Sequence, residues 1–166
     1  MKLGFGVVLL FSAALFQVTL AGRITLLHSP ANLVLIVMLA WNLLDFNTPD
    51  WRWGVVAGLI LSLFSFLPVW VLLVGYTLAA ALSQFLQQRV WQVRLLTLFA
   101  SVALGTFLIE GISLGYLWLN ASPIGLLDAF NLVILPGIVF NMILVLPIYT
   151  LINELSKILI PAEVNP

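Results

Sequence analysis

Residues 53–86 pass without a single charged side chain. As one helix these thirty-four residues would extend ~50 Å, whereas the hydrocarbon core of a bilayer is ~30 Å thick. One crossing cannot hold them. Pro68 divides the stretch. A proline lacks the N–H that a helix interior needs, and it disfavours helix in the residue before it. The stretch therefore predicts a tight helical hairpin, 53–67 followed by 68–86.

The rest of the chain has the same character. It is 63% hydrophobic and 7% charged, with a mean hydropathy of +1.22, whereas soluble domains carry about 25% charged residues. So few charges cannot cover a water-facing surface. The apolar runs are long and do not alternate with period two, and only helices and closed barrels satisfy their backbone in lipid. The expected fold is all-α: one integral membrane domain over 1–166, a polytopic bundle of about six transmembrane helices. The expected helices are 3–21, 31–44, 53–67, 68–86, 95–119 and 129–151. Lys2 precedes the first run and "TLAG" ends it, which resembles a signal peptide. The run is longer than a usual signal core and a wholly apolar chain follows, so an uncleaved first helix is expected. Ser29 and Pro30 read as N-cap and first residue of the second helix. "DFNTPD" (45–50) reads as a turn, "QQRVWQVR" (87–94) as a polar connector and "NASPIGLLD" (120–128) as a loop. The tail 152–166 is expected to lie at the cytoplasmic interface.

Six crossings with both termini inside place Lys2, Arg52, Arg89, Arg94 and Lys157 on the cytoplasmic side and only Arg23 outside, as the positive-inside rule favours. The aromatic belts fit the same frame. Trp41, Trp51, Trp53 and Trp91 fall toward the cytoplasmic rim, and Trp70, Tyr116 and Trp118 toward the outer one.

Glu110 sits near the middle of the fifth helix, where a carboxylate costs at least ~2.5–3.5 kcal/mol on insertion scales. Thr106 (i−4) and Ser113 (i+3) share its face and make a thin polar stripe that should point into the bundle. Two readings stand: a functional contact, proton or substrate site, or a neutral carboxyl hydrogen-bonded to a neighbouring helix. Asp45 and Asp128 lie near helix ends and supply no second acid at that depth. Gly54 and Gly58 ("GVVAG") share one helix face, as do Gly111 and Gly115 ("GISLG"), and such faces let helices approach closely. The second pair lies ~100–140° around the helix from Glu110, so the fifth helix is expected to meet two neighbours, one through the acid and one through the glycines. In the sixth helix Pro136 and Pro147 are about three turns apart and should bend it toward one side. Gly137 and Asn141 share a face there, and the Asn141 amide needs hydrogen-bond partners on a neighbouring helix.

Enzyme signatures are absent from the sequence. It has no cysteine and one histidine, His28, in a loop; it has no phosphate-binding glycine loop and no metal-ligand spacing. The expectation is a non-enzyme without cofactor or metal. With a formal net charge of zero and no basic patch, nucleic acid is not an expected partner.

"FLIEGISLGYLWL" followed by "LPGIVFNMILVLPIYTLINEL" resembles the bacterial rod shape-determining MreD family. The matching positions are Glu110 in the penultimate helix and Pro136, Asn141, Leu146 and Pro147 in the last. "SPANLVLIVMLAW" resembles that family's second helix, and Gly54 with Gly58 its third-helix glycines. The family often has an acid four residues after the second of these glycines, where this chain has Ser62. The resemblance implies a non-catalytic subunit of the cell-elongation machinery in the bacterial cytoplasmic membrane. It further implies binding to MreC and indirect links to MreB, RodA and a class B penicillin-binding protein, in support of peptidoglycan synthesis.

The competing reading is a substrate-binding membrane subunit of an energy-coupling-factor vitamin transporter, a fold that MreD-like chains resemble. Such a subunit needs a polar pocket near the outer face. The residues on offer are Thr25, His28, Tyr116, Asn120 and Ser122.

Overall fold

The computed structural model describes residues 2–21, 31–44, 50–89, 94–120 and 125–159. The readings at 22–30, at Asp45, at Trp91 and Ser122, and over the tail from 160 onward lie outside the described residues. All described secondary structure is helical. α1 is Lys2–Phe16, extended by a π-helical turn, Gln17–Ala21. α2 is Leu33–Asn42, α3 Arg52–Ser62, α4 Val69–Arg89 and α5 Arg94–Leu119. α6 is one continuous rod made of a short turn, Leu126–Ala129, a π-helical segment, Phe130–Ile134, and a long helix, Leu135–Leu159.

Three of these six helices, over 69–88, 94–119 and 127–158, are long and apolar enough to cross a membrane. The other three are shorter. α2 and α3 measure ~15–17 Å at 1.5 Å per residue, about half the hydrocarbon thickness. The expected helices at 31–44 and 53–67 are thus present, each shorter than its expected bounds. α3 stops at Ser62 because 63–68 turns ahead of Pro68, with Leu63 and Phe66 exposed at the bend. The last helix departs the other way. It begins before 129 and continues past 151, taking in Glu154 and Lys157, which pair at 2.7 Å one turn apart.

The layout follows from which helices have an outside. α2, "LVLIVMLAWN", is apolar all round and has no polar stripe, the pattern of a helix with no exposed face. Val34 to Asn42 are all buried, and α1, α3, α4, α5 and α6 all pack around them. The outer helices turn large apolar side chains outward, among them Val8, Leu59, Val74, Leu104 and Ile143.

Small residues set the closest approaches. A Cβ on Gly54 would fall on the carbonyl of Tyr76 and 2.7 Å from Thr77 Cα, and one on Gly58 would lie 3.0 Å from Leu72 O. The "GVVAG" face is therefore the surface on which α3 lies against α4. Gly6 plays the same part for α1, where a Cβ would meet the Trp53 ring. Around Gly6, Phe5, Trp41 and Trp53 interlock, with ring centroids 5.6 and 5.8 Å apart, at the end where α1 and α3 begin. Trp41 is thus fully buried core rather than a belt residue facing the headgroups. At the opposite end, Trp70 of α4 and Tyr116 of α5 meet edge to face at 5.6 Å.

The "GISLG" face behaves differently. Nothing lies within 4 Å of a Cβ on Gly111 or Gly115, so among the described residues no helix occupies the second contact expected of α5. The two glycine motifs should separate in a thermal-unfolding series in detergent. Gly54→Ala overpacks the α3–α4 contact and should destabilise by about 1–3 kcal/mol. Gly115→Ala meets only open space and should be neutral or slightly stabilising, because alanine is the better helix former.

Candidate functional site

A helix that starts inside a protein core has a problem at its first turn. Its leading N–H groups have no intrahelical acceptor, and no water is at hand to replace one. α2 starts this way at Asn32. Three side chains answer for it. The Asn32 N–H donates to Asn141 Oδ1 of α6 at 2.8 Å, and the Val34 N–H to Gln17 Oε1 of α1 at 3.0 Å. The Leu35 N–H donates to Asn32 Oδ1 at 3.2 Å, which makes Asn32 the N-cap. The cap therefore lies three residues beyond Ser29, the position expected from sequence.

The cluster continues outward. The Tyr76 hydroxyl of α4 donates to Asn32 Oδ1 at 2.6 Å. Asn141 Nδ2 donates to Thr106 Oγ1 of α5 at 2.9 Å, and the Thr106 hydroxyl donates to Val102 O at 2.7 Å. The orientation of the Asn141 amide is determined by this order. Its oxygen must face the Asn32 N–H, and its NH₂ must face a hydroxyl whose own proton is already committed. Asn32, Tyr76, Thr106 and Asn141 are all buried. Five helices thus meet at one polar knot. Thr106 lies near the middle of the 26-residue α5, which puts the knot at mid-depth of the bundle.

Glu110 sits beside the knot. On its flank of α5 it is bracketed by Thr106 one turn below, bonded to Asn141, and by Leu114 one turn above, packed with Ala129 and Ile134. It therefore faces the seam between α5 and α6. α5 and α6 run antiparallel, so the Thr106–Asn141 pair sets Gly137 level with Glu110. Glu110 is half-buried and lies within electrostatic reach of the Tyr76 hydroxyl. Among the described residues its carboxyl has neither hydrogen bond nor ion pair.

The remaining sequence candidates have local duties. The Ser113 hydroxyl donates to Ile109 O of its own helix at 2.7 Å. Pro136 is buried beside Gly137 and follows the π-helical segment, in which the Leu135 N–H reaches Phe130 O across a widened turn. Pro147 lies inside α6 on its exposed side, where the Thr150 hydroxyl donates to Pro147 O at 2.9 Å. Of the outer-face pocket candidates, Tyr116 stacks on Trp70 and Asn120 Nδ2 donates to Tyr116 O at 2.9 Å. Thr25, His28 and Ser122 lie outside the described residues.

Gln17, Asn32, Tyr76 and Gly6 escaped the sequence reading. Gln17 is the only amide in α1, and Asn32 stands directly before an uninterrupted apolar run. Both were signals for a buried cap. Tyr76 and Gly6 carried no signal of their own.

No protein-family model, curated protein or solved structure matches the chain.

The knot can be tested by its non-additivity. Asn141→Leu strands the Asn32 N–H in the core and should cost about 1–3 kcal/mol. Thr106→Val removes one acceptor that Asn141 uses and should cost less. The double variant should lose clearly less than the sum, since both act on one chain of hydrogen bonds. Denaturant unfolding in detergent micelles measures all three.

Proposed function

We propose that this protein is a non-catalytic membrane scaffold that recognises partner proteins through their transmembrane helices, in the manner implied by its resemblance to the MreD family. On this reading it sits in the bacterial cytoplasmic membrane and binds an MreC-like single-pass protein. Through that protein it supports the peptidoglycan-synthesising elongation machinery and thereby cell shape.

One observation carries the reading. The mid-depth polar side chains are committed to the fold itself: Gln17, Asn32 and Asn141 cap α2, while Tyr76 and Thr106 hold the capping amides. A binder of small polar molecules needs convergent polar groups that are still uncommitted. Near the other end of α5 the Tyr116 ring meets Trp70 edge to face, and the Asn120 amide donates to the Tyr116 carbonyl of its own helix. Among the described residues, buried polar atoms without a partner remain at Ser101 of α5 and Gln87 of α4. Among the described residues Glu110 has no partner, and nothing lies within 4 Å of a Cβ on Gly111 or Gly115. Packing of small residues and single polar contacts is what drives association of helices in lipid.

The test is a mild-detergent pull-down of the tagged protein from its native membranes. An MreC-like protein should co-elute. Gly111→Leu with Gly115→Leu should reduce its recovery without lowering the unfolding temperature of the isolated protein, because a Cβ at either position meets open space among the described residues and leucine is the better helix former. Glu110→Gln should retain the partner and Glu110→Leu should lose it, since glutamine keeps hydrogen-bonding capacity and leucine does not. Recovery of cytoplasmic ATPases with a coupling membrane subunit would sink the scaffold and make the protein a transporter component.

A further inference from the structure

The glycine face of α3 fixes where that helix lies along α4. A Cβ on Gly54 would meet the Tyr76 carbonyl and Thr77 Cα, and one on Gly58 the Leu72 carbonyl and Leu73 Cα. The two helices therefore run antiparallel, and counting back from Gly54 sets Arg52 level with Leu78 and Ala79. That is the midpoint of α4, Val69–Arg89. At 1.5 Å per residue α4 is ~30 Å long, the thickness of the hydrocarbon core, so Arg52 stands ~15 Å from either end of it.

The same level can be followed around the bundle. Gly105 of α5 lies against Ala79, and the Thr106–Asn141 bond carries the level across to α6. Within a turn of it, the outward side chains of α4, α5 and α6 are Leu78, Leu104 and Ile143, all apolar and exposed. α3 differs. Trp51 and Arg52 are both exposed there, with 78% of the Arg52 side chain accessible. That side chain does not run down to the rim at Arg89, because its Nε stays 3.8 Å from Asp50 Oδ2. Asp50 is itself fixed by the Arg52 N–H, which donates to Oδ1 at 2.9 Å. An exposed tryptophan beside charged side chains belongs to a membrane–water interface rather than to hydrocarbon.

α4 agrees. The stripe that meets α3, through Leu73, Tyr76 and Thr77, continues at helical spacing past the start of α3 as Ala80, Gln84 and Gln87. It turns polar where α3 no longer lies. Gln84 and Gln87 are half-buried, and Gln87 Oε1 is buried without a hydrogen-bond partner. An amide oxygen so placed calls for a donor, which nearby water supplies.

Charge at the centre of a bilayer is costly, and local thinning with entry of water relieves the cost. We infer that this protein thins the bilayer on its α3 flank. The water interface on the Arg89 side is drawn inward along the lower half of α4 and meets the protein at Trp51 and Arg52. The inference rests on α4, α5 and α6 crossing the bilayer and holds whichever proteins the bundle binds.

The chain has no cysteine, so single sites can be spin-labelled cleanly. Trp51→Cys, Leu104→Cys and Ile143→Cys are each labelled with a nitroxide and reconstituted, as the whole protein, in vesicles of phosphatidylethanolamine and phosphatidylglycerol. Power saturation then compares collisions with a water-soluble nickel chelate against collisions with oxygen, which concentrates in hydrocarbon. The nickel-to-oxygen ratio at position 51 should exceed those at 104 and 143 several-fold, although all three stand at one level of the bundle. Equal ratios would overturn the inference. If Trp51→Cys does not fold, Arg52→Cys, at the most exposed side chain of the site, is judged by the same comparison.

Discussion

The architecture depends on supplying acceptors to the first turn of α2 where no water can reach. That helix is fully enclosed, and it begins at mid-depth rather than at a rim. Each uncapped N–H there would cost about as much as a lost buried hydrogen bond, on the order of 1–3 kcal/mol. The acceptors come from three different places in the chain: Gln17 before α2, Asn32 at its start, and Asn141 more than a hundred residues later. Capping is a local matter in most helices. Here it joins α1 and α6 to α2, and through Tyr76 and Thr106 it brings in α4 and α5 as well.

Two kinds of contact cooperate with this knot. Packing of small residues fixes spacing: Gly54 and Gly58 bring α3 onto the α4 backbone, and Gly105 sits against Leu35 and Ala79 where α5 meets α2 and α4. Interlocked aromatics close the two ends, with Phe5, Trp41 and Trp53 at one and Trp70 with Tyr116 at the other. Apolar burial alone is a weak guide to position in a membrane, because lipid tails solvate leucine as well as a neighbouring helix does. Directional hydrogen bonds at mid-depth and steric fit at glycine are what remain to specify one arrangement.

Glu110 shows how far residue-level reading reaches. Its cost at mid-depth was legible, as was its face with Thr106 and Ser113. The outcome divides that stripe into three fates. Thr106 joins the knot, Ser113 turns back to its own helix, and Glu110 stays half-buried within electrostatic reach of Tyr76, with no hydrogen bond among the described residues. Helical spacing puts the three on one side but says nothing about what stands opposite each. Asn141 was similarly legible as a residue in need of a partner. The identity of that partner, a backbone N–H at the start of α2, was not, because sequence periodicity carries no information about depth. The lengths of α2 and α3 were only roughly legible, for the same reason. An apolar run reads as a spanning helix whether it is exposed to lipid or enclosed by protein, and only the former must match the hydrocarbon thickness.

By itself the sequence determined the material and the breaks. Scarcity of charge required an apolar exterior, apolar runs without alternation required helices, and Pro68 required a turn, since each follows from solvation or covalent geometry near the residue concerned. Only the tertiary structure decided which glycine pair receives a helix and which stays open, where α2 begins in depth, and which distant amide caps it. Those outcomes rest on pairings between segments far apart in the chain. The free energy that selects them comes from hydrogen bonds and contacts that exist only once the helices have met.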